Sequence, residues 1–358
     1  TAIKNAQLAQ SPLLLIGGAT ATMLRGRGSL QDIDQIELIK PHVKWHARPN
    51  RLRDVAPALE EAFVQAKSGV PGPVFVEIAV DLLYDESIVR DWYRAKTDKK
   101  DPKFSERIVA KYIKWHLERI FGGSKPTFFQ PRKVLPPMVH ASVLQKAVLM
   151  LQQSSKTVIL VGSQSFLDPE QQEDFRVAIE KMGAPVFLSG MGRGALGVDH
   201  ELQMRHKRTK ALKEAELVVL CGVPCDFRLD YGSPLRRAKV ISINRSRFEL
   251  QHNISPELAV LADPSTALQK IAHLYSGSKQ ESWISECRKR HDQREEEIHK
   301  MAEEETAEGL INPLFFFQKF DEVIEDNTIL IGDGGNFVAT CAYVVQPKGP
   351  YTWLDPGV

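Results

Sequence analysis

This sequence contains no long hydrophobic run, few cysteines and only a small net charge. No segment approaches the roughly 18 consecutive apolar residues of a membrane-spanning helix, and no charged-then-apolar signal opens the chain. The 47 basic and 45 acidic residues leave a formal charge of only +2, so no broad positive field is available for nucleic acid. The 358 residues, 43% of them hydrophobic, are enough for two or three domains with real cores.

Cysteine is too sparse for a disulfide scaffold. The chain has four cysteines, and reduced thiols are expected. Cys221 and Cys225 stand in C-x-x-x-C spacing beside Asp226, where zinc is conceivable, but no second pair of ligands lies near them in the sequence. The favoured interpretation is a pair of cysteines at the end of a strand.

Helix and strand patterns alternate in the first part of the chain. The apolar run "SPLLLIGGA", the helical stretch "RDVAPALEEAFVQAKSG" and the run "GPVFVEIAVDLL" form a β-α-β pattern across residues 1–90. Apolar runs without alternation suit strands covered on both faces, as in a parallel sheet. Residues 91–138 are polar and proline-dotted, and they are interpreted as a connector with one helix from about Ile108 to Ile120.

A complete central domain is predicted over residues 139–277. Its four strand patterns, "KTVILVGSQ", "APVFLSG", "ELVVLCG" and "KVISINR", are separated by helical stretches. That alternation predicts a doubly wound parallel sheet with right-handed crossovers. Residues 278–310 look like a charged, solvated helical connector. A further α/β domain opens at 311–358, where Asn312 and Pro313 are suited to begin a helix.

The stretch "SGMGRGALG" places Gly192, Gly194 and Gly197 in G-x-G-x-x-G spacing. A dinucleotide site needs a strand, a tight turn and a helix, with an acidic residue about 20 positions later. Here the following "VDHELQMRHKR" predicts only a weak helix, and Glu214 falls inside a helix instead of at a strand end. The preferred interpretation is a crossover in which glycines provide positive φ angles.

Four segments carry a family resemblance: "GVPGPVFVEIAVDLL", "GMGRGALG", "VVLCGVPCDFRL" and "GDGGNFVATCAYVVQPKGPYTWLDPG". Together they resemble the thiamine diphosphate enzymes of the acetolactate synthase group, and within it the acetolactate synthase-like proteins also called 2-hydroxyacyl-CoA lyases. The resemblance covers essentially the whole chain. It implies the later part of a pyrimidine-binding domain at 1–90, a complete, flavoprotein-like central domain, and the opening of a diphosphate-binding domain at 311–358.

The resemblance implies thiamine diphosphate and Mg²⁺ as cofactors. On this alignment the catalytic glutamate lies before Thr1 and the metal motif lies after the last residue, so Asp333 of "IGDGGN" is not taken as a metal ligand and no metal ligand is expected in the chain. Gly334, Gly335 and Asn336 are expected on the diphosphate side, the alternative being a plain strand-to-helix turn.

Gln31 is the only residue that the resemblance places near the chemistry. It lies in "GRGSLQD", which is similar to the family segment "GAFQ" that approaches the thiazolium and the substrate. A neutral amide can orient a carbonyl group without acting as a base. Two of the four positions differ from that segment, and an ordinary polar loop residue is the alternative.

A nucleotide or coenzyme A cleft is implied in the central domain. Arg193, Asp226, Arg228 and Asp263 match positions that line it in relatives, where arginine would pair with phosphates and carboxylates with ribose hydroxyls. Asn244 stands where nucleotide-binding relatives commonly carry an acid, which weakens ribose recognition.

Arg245 and Arg247, close to Asn244 in the chain, favour a phosphorylated ligand such as coenzyme A. FAD is not expected in this cleft. For each of the cleft residues a purely structural role is the alternative.

The resemblance implies an enzyme that cleaves 2-hydroxyacyl-CoA to an aldehyde and formyl-CoA. The alternatives are acetolactate synthase-type condensation of 2-oxo acids and a non-catalytic module that binds a nucleotide or coenzyme A. The start at Thr1 suggests a piece of a longer protein, which alone is expected to be inactive. The parent is expected to be a homo-oligomer, a dimer or tetramer, in the endoplasmic reticulum membrane, with no nucleic-acid partner.

Overall fold

Parallel β-sheets flanked by helices form the framework of the chain, which confirms the predicted α/β class. A computed structural model describes residues 1–97, 103–123, 130–307 and 309–355. The chain divides into two compact units, residues 1–135 and residues 136–357. The domain boundaries proposed from the sequence stay predictions, and the parts of the proposed segments at 98–102, 124–129, 308 and 356–358 lie outside the described residues.

The first unit is built on a three-stranded parallel sheet in the order β1-β3-β2. All six residues of the central strand β3 are buried, including Glu77, the one charged residue in an otherwise apolar run. The strands are β1 Leu14–Ala19, β2 Trp45–Ala47 and β3 Val74–Ala79, and the helices are α1 Ala2–Leu8, α2 Gln35–Ile39, α3 Leu52–Lys67, α4 Glu86–Thr97 and α5 Phe104–Phe121.

The stretch after β3 differs from its prediction. One helix was expected there and two are present, α4 and α5. Helix α4 was not predicted because, among its residues 86–94, only Val89 and Tyr93 are buried, one turn apart in a stretch rich in charged residues. Helix α5 confirms the expected helix and packs Ile113, Leu117 and Ile120 into the core of this unit, so it does more than connect domains.

A buried carboxylate holds the middle of this sheet. Glu77 lies on β3 with only 1% of its surface exposed. It accepts a hydrogen bond from Arg25 at 3.0 Å and one from Arg48 at 3.1 Å. Since a buried charge is costly unless it is paired, the two arginines offset the desolvation of Glu77 and tie two loops to the strand.

The second unit contains a five-stranded parallel sheet in the order β5-β4-β6-β7-β8. The four predicted central strands are confirmed, and β8 was missed. Its four residues alternate between buried and exposed, as in an edge strand. Four residues are too few for this alternation to be recognised as a strand in the sequence. The strands are β4 Thr157–Val161, β5 Val186–Leu188, β6 Leu217–Cys221, β7 Lys239–Asn244 and β8 Leu258–Leu261, and the helices are α6 Ala141–Gln152, α7 Gln172–Met182, α8 Arg208–Glu214, α9 Arg247–Gln251 and α10 Pro264–Leu274.

The final part of the second unit packs against its sheet through a long helix. The elements are α11 Glu281–Ala302, α12 Pro313–Val323, β9 Leu330–Ile331, α13 Gly335–Val344 and β10 Trp353–Leu354, with β9 and β10 parallel. As predicted, Asn312 caps α12 by accepting a hydrogen bond from the backbone N–H of Leu314 at 3.0 Å. Among the described residues, no helix is both long enough and apolar enough to span a bilayer.

Helix α11 is not the fully solvated connector that its charge suggested. It buries Trp283, Cys287 and Ile298 on one side. The indole N–H of Trp283 donates to the carbonyl oxygen of Thr157 on β4 at 3.0 Å. The apolar stripe is hard to see in the sequence because long charged residues surround it and can cover apolar surface with their stems.

The glycine motif is a packed crossover after β5. A Cβ on Gly192 would lie 2.9 Å from the ring of Phe166. Gly194 has φ +79° and a Cβ there would overlap the carbonyl oxygen of Gly349, whereas Gly197 has φ +75° with open space around it. The first two glycines therefore allow close contact with the chain itself, and the last two allow left-handed backbone.

Alanine substitutions at Gly194 and Gly197 distinguish the cost of left-handed backbone from the cost of a close contact. Gly197→Ala should lower the free energy of unfolding by about 1 kcal/mol, since it introduces only the left-handed conformation. Gly194→Ala should cost about 3 kcal/mol or more, because the new methyl group also displaces Gly349. Urea unfolding of the two variants beside the wild type measures both values. Equal losses would show that the contact between Gly194 and Gly349 is not tight.

Candidate functional site

The candidate site of the second unit lies at the carboxyl edge of the five-stranded sheet. The strand order reverses between β4 and β6, which is where ligands bind in open α/β sheets. Here the two loops contact each other directly: a Cβ on Gly162 would overlap the carbonyl oxygen of Gly222. The hydroxyl of Ser165 also donates to the carbonyl oxygen of Cys221 at 3.0 Å. Backbone packing thus fills the innermost part of this edge.

Two of the predicted cleft residues pair with each other in the loop after β6. The guanidinium Nε of Arg228 lies 3.1 Å from Asp226, whose Oδ1 also accepts the backbone N–H of Arg228 at 2.9 Å. The carbonyl oxygen of Arg228 accepts a hydrogen bond from Arg208 at 2.6 Å. The structure therefore brings Asp226 and Arg228 beside α8.

Asp263 is occupied by structural bonds at the far side of the sheet. It accepts from Arg245 at 2.6 Å, with the two side chains 4% and 10% exposed respectively. Its other oxygen caps α10 through the backbone N–H of Thr266 at 2.8 Å. Asn244 is also engaged, accepting the backbone N–H of Ser246 at 2.9 Å. Arg245, expected to favour phosphate, is instead a partner of Asp263.

Arg193 and Arg205 hold the C-terminal end of α13. Arg193 donates to the carbonyl oxygen of Ala342 at 2.7 Å, and Arg205 donates to those of Tyr343 at 2.8 Å and Val344 at 2.7 Å. These are carbonyls that a helix end leaves without intrahelical partners, and cations there also suit the helix dipole. Burial lowers the pKa of both guanidinium groups. Sequence reasoning placed Arg193 in the nucleotide cleft and gave no role to Arg205.

A cavity of about 770 Å³ opens between β5, α8 and α13. Its lining includes apolar residues that are themselves almost fully buried, such as Phe187, Met204 and Val345. Six lysines and arginines also line it, and no acidic residue does so within the described part of the chain; the six are Arg193, Arg205, Lys207, Arg208, Lys210 and Lys213. We name this feature the basic cavity. Its signal in the sequence is the three-residue spacing of lysine in "KRTKALK".

His206, which also lines the basic cavity, forms a cluster with buried His291 and partly buried Glu295. Their ligand-type atoms lie within 4.8 Å of one another, and His206 Nε2 is 3.0 Å from Glu295. The backbone N–H of Arg205 donates to Nδ1 of His291 at 3.4 Å, which places the proton of a neutral His291 on Nε2, facing Glu295. A protonated nitrogen has no lone pair for a metal, so we interpret the cluster as a hydrogen-bonded network.

Cys221 and Cys225 are buried free thiols. Burial raises the pKa of Cys221 to about 12 and that of Cys225 to about 11. Zinc requires thiolate ligands. Both residues therefore fit the interpretation as cysteines at the end of a strand.

In the first unit, Gln31 lies on an anchored loop at the carboxyl ends of β1 and β3. Asp81, fully buried, accepts hydrogen bonds from the backbone N–H and the hydroxyl of Thr22, at 3.0 and 2.5 Å. Thr22 also bonds to His116 at 2.8 Å. Asp32 accepts the backbone N–H of Gly28 at 3.0 Å. These contacts hold the loop from both ends.

Gln31 itself is exposed and has φ +61°. No described residue is recorded as a hydrogen-bond partner of its amide. A left-handed conformation is unfavourable for glutamine, and such strain persists only where the surroundings impose it. The loop therefore presents the side-chain amide of Gln31 to solvent from a backbone position that neighbouring contacts hold.

Gly334, Gly335 and Asn336 lie at the N-terminus of α13, next to the end of β9. No side chain caps this end, and a Cβ at Gly334 or Gly335 would meet nothing within 4 Å. All three residues are exposed. The first turn of a ten-residue helix thus offers uncapped backbone N–H groups to an anion.

Comparison with known proteins gives a consistent result. Residues 144–271 match the family described as "Thiamine pyrophosphate enzyme, central domain". The whole chain is 42% identical over 366 residues to 2-hydroxyacyl-CoA lyase 2 of Caenorhabditis elegans and 40% identical over 367 residues to that of Homo sapiens. In both cases the chain spans 57% of the length of the relative. Acetolactate synthase large subunit IlvG of Mycobacterium tuberculosis is 23% identical over 359 residues, again over the whole chain and 58% of the relative.

The buried cluster predicts an acid-sensitive fold. Burial and the nearby Arg288, His206 and Arg205 lower the pKa of His291 from 6.5 to about 4, although Glu295 opposes the shift. The unfolded chain takes up this proton near pH 6.5 and the folded chain near pH 4. The stabilisation is therefore complete above pH 6.5 and is lost as the pH falls towards 4, up to about 3 kcal/mol.

Urea unfolding at several pH values checks this expectation. His291→Gln should flatten the fall in unfolding free energy between pH 6.5 and 4. His273→Gln, at an exposed histidine on α10, is the matched control and should keep the steepness of the wild type. The same pH dependence in His291→Gln as in the wild type would show that His291 does not cause the acid sensitivity.

Proposed function

The chain belongs to the thiamine pyrophosphate enzymes, and from this premise we propose that the protein cleaves 2-hydroxyacyl-CoA to an aldehyde and formyl-CoA. The supporting observation is the 42% identity, along the whole chain, to a protein named 2-hydroxyacyl-CoA lyase 2. Acetolactate synthase, the alternative within the same cofactor class, is matched at only 23% identity. Because the chain spans 57% of the lyase relative, the activity is a proposal for the whole protein.

Gly334, Gly335 and Asn336 fit the diphosphate of thiamine diphosphate. The open space above Gly334 and Gly335 allows an anion to approach the backbone of α13 closely, and the free N–H groups of the first turn suit phosphate oxygens. When bound, this cofactor supplies an electron sink for the carbanion left by breaking a carbon–carbon bond. Mg²⁺ is proposed as its companion cation, with ligands from outside these three residues.

Gln31 is proposed to orient the carbonyl group of the substrate. The uncharged amide can donate a hydrogen bond but does not compete for protons. The loop that carries it is held by the contacts of Asp32 with Gly28 and of Asp81 with Thr22. A hydrogen-bond donor at this position would stabilise the charge that develops on the carbonyl oxygen in the transition state.

The second unit is proposed to bind the coenzyme A part of the substrate. Of the four residues expected in the cleft, Arg193, Asp226 and Arg228 lie around α8, while Asp263 is bound to Arg245. A non-catalytic coenzyme A-binding module is the second candidate function. The basic cavity supports it, because lysines and arginines around a cavity can bind a phosphorylated ligand without any lyase chemistry. FAD is not part of the proposal.

The remaining properties are proposed from the family resemblance. They are a homo-oligomer, dimeric or tetrameric, and a location at the endoplasmic reticulum membrane. The partners proposed are small molecules, with no nucleic acid, in keeping with the formal charge of +2.

The proposed activity is tested by product analysis. The whole protein, of which this chain is expected to be a part that is inactive alone, is incubated with a 2-hydroxyacyl-CoA in the presence and absence of thiamine diphosphate and Mg²⁺. Formyl-CoA and aldehyde are measured by mass spectrometry. We expect both products in equal amounts, formed only with the cofactor. Formation of acetolactate from pyruvate in place of these products would support the alternative, and binding of coenzyme A without any turnover would support the module.

Gln31→Ala should lower kcat by about tenfold to a hundredfold with little change in KM, because the lost donor acts in the transition state. Gln10→Ala is the matched control: Gln10 is also a glutamine in left-handed backbone, with φ +54°, but it lies at the end of α1. It should leave kcat within about twofold of the wild type. Equal effects of the two substitutions on kcat would show that Gln31 has no role in the reaction.

A further inference from the structure

We propose that a hydrogen-bond relay, from His116 on α5 through Thr22 to Asp81, positions the loop of residues 20–32 that carries Gln31. His116 and Asp81 are then positioning residues, which act on the substrate only through Gln31. The inference rests on the proposed function for the role of Gln31. It gives a function to α5, a helix that the sequence placed in a connector between domains.

The hydrogen bonds of Thr22 have a defined direction. Its hydroxyl donates its single proton to Asp81 at 2.5 Å, and its backbone N–H donates to the same carboxylate at 3.0 Å. An ionised carboxylate can only accept. The hydroxyl oxygen, 2.8 Å from Nε2 of His116, is therefore the acceptor of that bond, and the proton of a neutral His116 lies on Nε2. Each residue of the relay thus fixes the orientation of the next.

Asp81 anchors the relay. Its side chain is fully buried just after β3, where an ionised carboxylate is costly unless donors surround it. Thr22 supplies two of these donors. Tyr93 of α4 also faces the carboxylate, since burial and the charge of Asp81 raise the pKa of the Tyr93 hydroxyl to about 12. Movement of Thr22 away from β3 would leave the buried charge with fewer donors, so Asp81 fixes the position of Thr22.

His116 is a polar residue on the apolar face of α5. It is 7% exposed, on a face that otherwise packs apolar side chains into the core of the first unit. Burial lowers the pKa of His116, against the effect of Asp81 and together with that of Arg119, so the ring is neutral at physiological pH. An aliphatic residue at this position would avoid the cost of burying an imidazole. What histidine adds is a donor for the hydroxyl of Thr22.

A contact across the loop carries the position of Thr22 to Gln31. The hydroxyls of Thr20 and Ser29 lie 2.7 Å apart and join the two ends of the loop, two residues before Gln31. Gln31 has φ +61°, and a strained backbone of this kind persists only where the surroundings impose it. A shift of Thr22 therefore changes the conformation of the loop at Gln31.

Limited proteolysis of the whole protein tests the position of the loop without requiring activity. Trypsin cleaves after Arg25 and Arg27, which both lie in the loop, when the loop leaves its folded position. His116→Phe keeps a ring and removes the donor, and it should raise the rate of cleavage about fivefold. His116→Gln retains an N–H donor and should restore a rate within about twofold of the wild type. Thr22→Val removes the acceptor and should act as His116→Phe does.

His291→Phe is the matched control for the loss of a buried histidine. His291 is 8% exposed and lies on α11, in the second unit. This substitution should leave the rate of cleavage after Arg25 and Arg27 within about twofold of the wild type. Thermal unfolding verifies that each variant folds.

Steady-state kinetics with a 2-hydroxyacyl-CoA test whether the relay acts through Gln31. His116→Phe should lower kcat about tenfold with little change in KM, and His116→Gln should recover most of this loss. In the Gln31→Ala background His116→Phe should cause no further loss, because residues that act through one group are not additive. Losses of kcat that multiply in the double variant would overturn the inference. Unchanged cleavage in both His116→Phe and Thr22→Val would also overturn it.

The two experiments separate this inference from the proposed function. Faster cleavage of the loop in a protein without lyase products supports the relay and contradicts the lyase. Lyase products together with unchanged cleavage support the lyase and contradict the relay.

Discussion

The capping of α13 by two partly buried arginines is the interaction on which the second unit depends. Arg193 follows β5 and Arg205 precedes α8, and both donate to carbonyl oxygens at the end of a helix more than 130 residues later in the chain. Because both guanidinium groups are partly desolvated, leaving either without these acceptors would leave a poorly solvated cation. The bonds thus fix the sheet, the lysine-bearing helix α8 and α13 relative to one another, and the basic cavity is the space enclosed by these three elements.

Local sequence patterns predicted most of the framework. The apolar runs of β4 and β6 are fully buried strands, and Asn312 caps its helix as expected. Missed elements were those whose local signal is weak: the three-residue strand β2, the edge strand β8 and the polar helix α4. Their formation depends on neighbours supplied by the fold, which override or replace local preference.

The site was less predictable than the fold. The three-residue spacing of the lysines is visible in the sequence. The sequence does not show that α13 lies opposite them and forms a cavity with α8. His206 and Glu295 are 89 residues apart, and no local pattern could connect them. The family resemblance predicted the order of the domains, which stays a prediction, and left the contacts of each side chain open. Asp263 illustrates this: a carboxylate expected to face a ribose is bound to Arg245 and to the N-terminus of α10.

The long separation between the arginines and α13 bears on how the protein is made. Arg193 and Ala342 are 149 residues apart, so the ribosome completes the five-stranded sheet well before the helix that covers its side has been synthesised. During that interval the two guanidinium groups and the sheet surface beside them face solvent. The docking of α13 onto the sheet is therefore a late step, governed by loop closure and not by local structure.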